Sequence, residues 1–144
     1  MLVDGKRESF LFSFVVWHIK HSDICTICPS LCRRLSAIEP EIRIVDGAGS
    51  LFWSHVQDNC PALAALRGYR VVPLCIVCAL MESNDPNKPL YLLGTGRNNI
   101  FLVEGPKSVS MALGIASLGD RWRIECLDGA EMVEGDLLFD YRIP

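Results

Sequence analysis

Two apolar runs limit what this chain can fold into more than any other feature of its sequence. Residues 10–17 and residues 71–81 are almost entirely hydrophobic, and each is followed by a polar segment. A helix that spans a membrane needs about 20 apolar residues, so both runs are too short and are expected inside a folded core. The length of 144 residues fits one domain over residues 1–144.

The charge of the chain narrows the classes of partner. Asp and Glu number 17 against 14 Lys and Arg, which gives a formal net charge of −3. A protein that holds nucleic acid through bulk positive charge, or a membrane through a polybasic segment, carries the opposite balance. Hydrophobic residues make up 50% of the chain and charged residues 22%, which favours a packed core over disorder. We therefore expect a protein partner, and neither nucleic acid nor a membrane.

The cysteines indicate the compartment. Seven cysteines are present, and an odd number is atypical of a secreted disulfide framework. Asp4, Lys6, Arg7 and Glu8 precede the first apolar run with mixed charge, unlike the positive start of a signal peptide. We therefore expect a cytoplasmic protein whose thiols stay mostly reduced and pack as small hydrophobic residues.

Turn residues divide the chain into alternating elements. Apolar runs indicate strands over residues 9–17, 69–81, 90–93 and 100–103, and alternation indicates a strand over residues 41–46. Helical spacing predicts a helix over residues 29–38, and cap and turn residues predict helices over residues 51–56, 61–66 and 106–116. Residues 121–127 and 137–143 form a predicted C-terminal hairpin around Asp128 and Gly129. Because helices separate the first three strands, parallel connections are expected. The predicted fold class is α/β (mixed α+β), with a central mixed sheet flanked by helices.

Cys25 and Cys28 form a Cys-x-x-Cys pair between a predicted strand and a predicted helix. The N-terminus of a helix presents unpaired N–H groups and the positive end of the helix dipole. Both favour a thiolate over a thiol and lower the pKa of a cysteine placed there. Because a second thiol one turn later can resolve a mixed disulfide, this spacing predicts thiol–disulfide chemistry.

The order of these elements, with Pro73 standing 45 positions after Cys28, resembles the thioredoxin-like fold. That family has a strand, a helix opened by Cys-x-x-Cys, a strand, a helix and a strand introduced by a cis-proline. The resemblance covers residues 9–118 as a thioredoxin-like core and leaves residues 119–144 as a C-terminal hairpin extension. It implies a thiol–disulfide exchange or redox-sensing protein.

Carried onto this chain, the resemblance implies four site residues. Cys25 is the attacking thiol and Cys28 the resolving thiol, so these two form the catalytic pair. Pro73 is the cis-proline beside the substrate, and Val72 offers backbone hydrogen bonds to a bound peptide. The chain departs from the family pattern at Ile24, where an aromatic residue is usual. This departure bears on activity more than on fold.

A zinc-stabilised module is an alternative interpretation of the same segment. Four nitrogen or sulfur ligands, the number that structural zinc takes, lie within eleven residues: His18, His21, Cys25 and Cys28. Cys75 and Cys78 form a second pair, but positions three apart in a predicted strand point to opposite faces. That second pair is therefore expected in the core, and without zinc at the first cluster no cofactor is expected.

A non-enzymatic protein-interaction domain with buried cysteines is the remaining alternative. Trp122 lies between Arg121 and Arg123 on the predicted C-terminal hairpin, and Trp and Arg are common at the centres of protein interfaces. This hairpin is the expected contact surface. Phe52 and Trp53 share a predicted helix and are expected in the core, with an interface as the other place for one of them.

Overall fold

The computed structural model describes five segments of the chain, residues 16–23, 50–57, 65–104, 110–127 and 132–142. Their elements follow in the order β1 (Val16–Lys20), a 3₁₀ turn (His21–Asp23), β2 (Ser50–His55), α1 (Leu74–Glu82), β3 (Asn98–Glu104), β4 (Ser110–Ser117), β5 (Arg121–Cys126) and β6 (Leu137–Arg142). Six strands and one α-helix therefore make up the regular structure of these segments.

The six strands form one mixed sheet in the order β1-β5-β4-β3-β6-β2. Four neighbouring pairs are antiparallel, whereas β6 runs parallel to β3. β1 and β2, the first two strands in sequence, consequently lie at opposite edges. The predicted helix-flanked, thioredoxin-like α/β fold class is wrong, because within the described segments the sheet is accompanied by a single α-helix.

The main core lies on the face of the sheet that α1 covers. Leu74, Val77, Cys78 and Met81 are buried on α1, at the spacing that forms one apolar stripe along a helix. They belong to a cluster with large side chains from all four inner strands. At its centre the rings of Phe101 and Phe139 stack, with their centroids 4.3 Å apart. A smaller cluster on the opposite face joins Ile100, Leu102 and Leu138 to Val56, Leu66 and Met132.

β4 shows why one predicted helix is a strand. Met111, Leu113 and Ile115 lie in the α1-side core, and the small residues between them face the other way. This period of two belongs to a strand, so the helix predicted over residues 106–116 is wrong where it is described. Gly114 leaves room for Leu127 on the small-residue face, because a Cβ atom there would lie 2.5 Å from Leu127 Cδ1 and would force that side chain to shift.

Three further predicted elements are wrong. Residues 51–56 form most of β2 rather than a helix, and residues 90–93 are not a strand. The strand predicted over residues 69–81 is largely α1, because periodicity cannot separate a strand from a helix in a wholly apolar run. Pro73 starts that helix, since its carbonyl accepts hydrogen bonds from the Ile76 and Val77 N–H groups at 3.0 and 3.3 Å. It is not a cis-proline, because no described peptide bond is cis.

The C-terminal strands are confirmed, but their pairing differs from the predicted hairpin. β5 lies between β1 and β4, and β6 lies between β3 and β2. The hairpin joins β4 to β5 instead, through a turn where Gly119 has a φ of +93°, a conformation that favours glycine. β5 and β6 are therefore integral to the sheet, and not an extension of a core that ends at residue 118.

Candidate functional site

The residues predicted to carry thiol or metal chemistry are only partly placed by the structure. Cys25 and Cys28 lie outside the described residues, so the catalytic pair stays a prediction. His18 is exposed on β1, and His21 is exposed in the 3₁₀ turn that follows. In the segments that the structure covers, no three His, Cys, Asp or Glu side chains lie close enough to hold a metal ion. The zinc interpretation, which needs both of those cysteines, also stays a prediction.

Val72 and Pro73, predicted to bind a substrate, lie at the start of α1 and are buried. The Val72 N–H donates a hydrogen bond to the Leu102 carbonyl at 2.7 Å, so this donor is committed within the fold. Their role in binding a peptide stays a prediction. Cys75 and Cys78 lie on α1 rather than on a strand, which places them one helical turn apart instead of on opposite faces.

β2 presents a row of backbone groups to the outside of the sheet. The Val56 N–H donates to the Asp136 carbonyl at 2.8 Å, which continues the register of β2 with β6. Residues of an antiparallel edge strand alternate between bonding their neighbour and pointing away from it. The N–H and C=O groups of Leu51, Trp53 and His55 therefore point outward, and they have no hydrogen-bond partner among the described residues.

The side chains of β2 are aromatic and uncharged around this open edge. Phe52 is 50% exposed, and the Arg142 guanidinium lies 5.1 Å from the centre of its ring. Trp53 is held on the α1 side, because its Nε1–H donates to the Pro89 carbonyl at 3.0 Å. His55 meets the Trp53 ring edge-on at 5.2 Å. The edge thus combines backbone groups that have no partner among the described strands with aromatic rings that remain partly exposed.

An apolar groove lies beside this edge, and we call it the edge groove. One wall is a second stripe of α1 that does not face the sheet, and Leu51, Leu90 and Tyr141 form the rest. Its volume is about 240 Å³, and its lining comprises Leu51, Ile76, Ala79, Leu80, Ser83, Leu90 and Tyr141. Leu51 therefore contributes outward backbone groups to the open edge and its side chain to the groove.

The polar side chains of Ser83 and Asn84, in and beside the edge groove, are committed to internal hydrogen bonds, whereas the Tyr141 hydroxyl is not. The Ser83 hydroxyl donates to the Ala79 carbonyl at 2.8 Å. The Asn84 side chain is bound to the backbone of Leu92 on both its oxygen and its nitrogen. The Tyr141 hydroxyl is buried and has no hydrogen-bond partner within the described part of the chain. Because this oxygen is buried, Tyr141 offers the groove no accessible hydroxyl.

The electrostatic features of the sheet lie away from the edge groove, whose lining contains no charged side chain. At the β4–β5 turn, the hydrogen bond from Arg121 lowers the pKa of the Asp120 carboxyl. Both side chains are exposed, so this pair is a surface ion pair and not a catalytic acid in a cleft.

The comparisons with known proteins returned nothing similar. No protein-family model matches the chain, and neither a curated protein nor a solved structure matches it significantly. Across the described segments, no helix combines the length and the apolar character needed to cross a membrane.

The expected contact surface is placed differently by the structure. Trp122 is 2% exposed and belongs to the core rather than to an interface. Phe52 and Trp53, expected on a helix, instead lie on the open edge. Leu51, Phe52 and Trp53 are consecutive apolar residues and do not alternate with polar ones, so the preference of Phe and Trp for strands is the signal that could have identified β2. The place of Tyr141 in the groove gave no signal in the sequence, because the facing wall is a helix from a distant part of the chain.

Proposed function

We propose that this protein is a non-enzymatic interaction domain that binds an extended segment of a partner protein along β2. The observation that supports it most directly is the row of outward N–H and C=O groups at Leu51, Trp53 and His55. An extended peptide that adds to a sheet edge supplies hydrogen bonds to such groups. Side chains of the added strand alternate between the two faces, so some of them reach the edge groove.

The composition of β2 supports binding at this edge. Proteins usually protect an edge strand with Lys, Pro or a bulge, because unpaired backbone groups attract other strands. The β2 sequence, Ser-Leu-Phe-Trp-Ser-His, contains neither Lys nor Pro. An edge of this kind is suited to pairing with a second strand.

The outer stripe of α1 supports the same proposal. Glu82 is the only charged residue among the nine of this helix. A helix on a protein surface normally carries polar residues opposite its buried stripe, whereas a helix that is apolar all round is covered. Ile76 and Leu80, which face the edge groove, remain partly exposed. A bound segment with apolar side chains would cover them.

Proline substitution at an outward position tests the proposal. His55→Pro removes an outward N–H while leaving the β2–β6 hydrogen bonds in place, since proline is tolerated on the solvent side of an edge strand. A library of random peptides is selected for binding to the whole protein. An enriched peptide is then titrated against the unsubstituted protein and against His55→Pro. We expect His55→Pro to weaken binding about tenfold, through a lost hydrogen bond and the ring's obstruction of the strand.

Two further variants and one measurement complete this test. Lys20→Pro is the matched control, because Lys20 holds the equivalent outward position on β1, and it is expected to leave binding unchanged. His55→Ala keeps the N–H and should weaken binding less than His55→Pro does. The amides of Leu51, Trp53 and His55 should exchange with deuterium more slowly once peptide is bound. Equal binding by His55→Pro and the unsubstituted protein, or β2 amides already protected without peptide, would overturn the proposal.

A further inference from the structure

We infer that the segment bound along β2 carries a cationic side chain, an arginine or a lysine, and that three aromatic rings on the α1 side of the sheet bind it. These rings belong to Trp53, His55 and Tyr91, and we call them the aromatic corner. This inference rests on the proposed function, because the cation belongs to the segment that pairs with β2. The aromatic corner then determines which side chain is preferred, whereas the outward backbone groups of β2 determine that a strand binds at all.

The three rings of the aromatic corner meet at steep angles around Trp53. The His55 ring lies edge-on to the Trp53 ring, with their centroids 5.2 Å apart and an angle of 89° between their planes. The Tyr91 ring lies 6.0 Å from the Trp53 ring at an angle of 66°. Neither ring stacks flat on the indole, so neither covers a whole face of it. A cation is attracted to a ring face within about 6 Å of the centroid, so one cation beside Trp53 can interact with more than one ring.

The aromatic corner is accessible, and its central ring is held in place. Trp53 and Tyr91 are partly exposed, and His55 is exposed. The Trp53 Nε1–H donates to the Pro89 carbonyl at 3.0 Å, which sets the orientation of the indole. A side chain that is already fixed loses little conformational freedom when a ligand binds. The indole is also the aromatic ring that attracts a cation most strongly.

The position of Trp53 on β2 brings the aromatic corner beside a bound strand. Trp53 is the middle one of the three residues whose backbone groups point outward, between Leu51 and His55. Side chains that lie beside each other on neighbouring strands share a face of the sheet, and alternate residues of one strand share a face. Every second side chain of the added strand therefore lies on the α1 side. The one nearest Trp53 meets the aromatic corner, whereas another, two residues away, lies beside Leu51 at the edge groove.

The charge of the protein favours a basic segment over an acidic one. The chain carries 17 acidic residues against 14 Lys and Arg, and complementary charge speeds the encounter of two partners and disfavours partners of like charge. β2 itself contains neither Lys nor Arg. In the stretch of chain that leads to Pro89, Glu82 and Asp85 outnumber the one basic residue, Lys88. This stretch therefore carries no positive surplus that would oppose a cation.

The other face of β2 already shows a contact of this kind. The Arg142 guanidinium lies 5.1 Å from the centre of the Phe52 ring, and Phe52, one residue before Trp53, faces away from α1. Arginine is suited to such a contact, because its planar guanidinium is weakly hydrated and stacks on aromatic faces. On the α1 side, the bound segment supplies the corresponding cation.

Replacement of the cation by a neutral group of similar shape tests the inference. Peptides are selected from a random library on the unsubstituted protein, and each Arg or Lys of an enriched peptide is replaced in turn by citrulline or norleucine. We expect one such replacement to weaken binding about threefold to tenfold. Against Trp53→Leu, which removes the central ring, the same replacement should change binding less than about twofold, and the difference measures the coupling between ring and cation.

Three further variants keep the test independent of any change in β2 caused by Trp53→Leu. Tyr91→Leu removes a ring that does not belong to β2, and it should reduce the effect of the peptide replacement at least twofold. Tyr91→Phe keeps the ring and should leave the effect unchanged. Phe52→Leu removes a ring from the opposite face and is the matched control, which should also leave the effect unchanged.

The outcomes separate this inference from the proposed function. The inference is wrong if the enriched peptides contain no Arg or Lys, if no replacement changes binding more than about twofold, or if Tyr91→Leu leaves the effect intact. It is also wrong if Phe52→Leu removes the effect, because the cation then lies on the other face. In each of these cases binding along β2 still stands, provided that His55→Pro weakens it. If His55→Pro has no effect, or no peptide is enriched, the proposed function fails and this inference fails with it.

Discussion

β1 and β2 are the two outermost described strands of the sheet, and they carry different residue types at their outward positions. The His21 N–H donates to the Asp120 carbonyl at 2.8 Å, so His21 faces β5. Because alternate residues of an edge strand point away from their neighbour, the backbone groups of His18 and Lys20 point outward, and both residues are exposed. The corresponding positions of β2 are Leu51, Trp53 and His55. A lysine on an edge strand discourages pairing with another strand. Of the two edge strands that the structure describes, only β1 therefore carries a lysine at an outward position.

A histidine packs against a tryptophan near each of the two edges, but the two tryptophans differ in burial. Near β1, His21 lies against the ring of Trp122 with centroids 4.6 Å apart, and Trp122 is 2% exposed. Near β2, His55 meets Trp53 edge-on, and Trp53 remains partly exposed. The Trp122 ring therefore belongs to the core, whereas the rings of Phe52 and Trp53 on β2 remain partly exposed.

Removal of the Trp122 side chain is expected to have the largest effect on stability. Trp122→Ala deletes a fully packed ring and should lower the free energy of unfolding by about 3–5 kcal/mol. Phe52→Ala, at the half-exposed ring of β2, should cost about 1 kcal/mol or less. Urea denaturation followed by circular dichroism measures both. Similar losses for the two variants would break the contrast between the edges.

Proline scanning within β2 should give the next largest effect. The Ser54 N–H points toward β6, so Ser54→Pro removes a hydrogen bond of the sheet and should cost about 2–3 kcal/mol. His55→Pro, one residue later, should cost less than about 1 kcal/mol. Ser54→Ala corrects for the loss of the hydrogen bond between the Ser54 and Tyr69 hydroxyls, which are 2.9 Å apart. A larger loss of stability in His55→Pro than in Ser54→Pro would show that the His55 N–H, and not the Ser54 N–H, points toward β6.

A charge exchange between the edges sharpens the comparison without a large change in stability. Phe52→Lys gives β2 the protection that β1 has, and it should reduce self-association of the concentrated protein. Lys20→Val removes that protection from β1 and should increase self-association. Both variants should stay within about 1 kcal/mol of the original stability, as surface substitutions usually do. Light scattering against concentration provides the measurement, and an unchanged profile for both variants would contradict it.

The smallest expected effect is the pH dependence of the β4–β5 turn. The Arg121 hydrogen bond lowers the pKa of Asp120 in the folded protein, so the folded state favours the ionised carboxylate. This stabilisation is present above the unfolded pKa of about 3.9 and is lost as pH falls through the lower folded value. Because both side chains are exposed, solvent screening keeps the effect slight. Thermal melting at pH 7 and below about pH 4 provides the measurement. On acidification, the melting temperature of Asp120→Asn should fall slightly less than that of the unsubstituted protein.

Local patterns predicted some strands correctly and failed where the signal was ambiguous. The apolar run of β3 and the alternation of β5 mark strands that the structure confirms. α1 was predicted as a strand, because a wholly apolar run carries no period. β4 was predicted as a helix, although its large and small residues alternate, because the proline and glycine before it resemble a helix start. Both errors follow from weak local signals that tertiary packing overrides.

The candidate site was beyond the reach of local patterns for a different reason. Phe52 and Trp53 were recognised as notable residues, with an interface as one possible place for them. The edge groove, however, joins Leu51, Leu80 and Tyr141, which are separated by long stretches of sequence. The register of β2 with β6 brings Leu51 beside Tyr141, and the packing of α1 adds the third wall. No spacing in the sequence indicates that these three residues lie together.

The sequence by itself determined that the chain has a substantial apolar core, that its charge is mildly acidic, and that several of its segments are strands. Those properties depend on composition and on periods of a few residues, which can be read along the chain. Tertiary structure alone decided which strands became edges and which rings were buried beneath α1. Whether a backbone N–H is satisfied depends on what lies beside it in space, so the edge position of β2 among the described strands, like the burial of Tyr141, exists only once the sheet has formed.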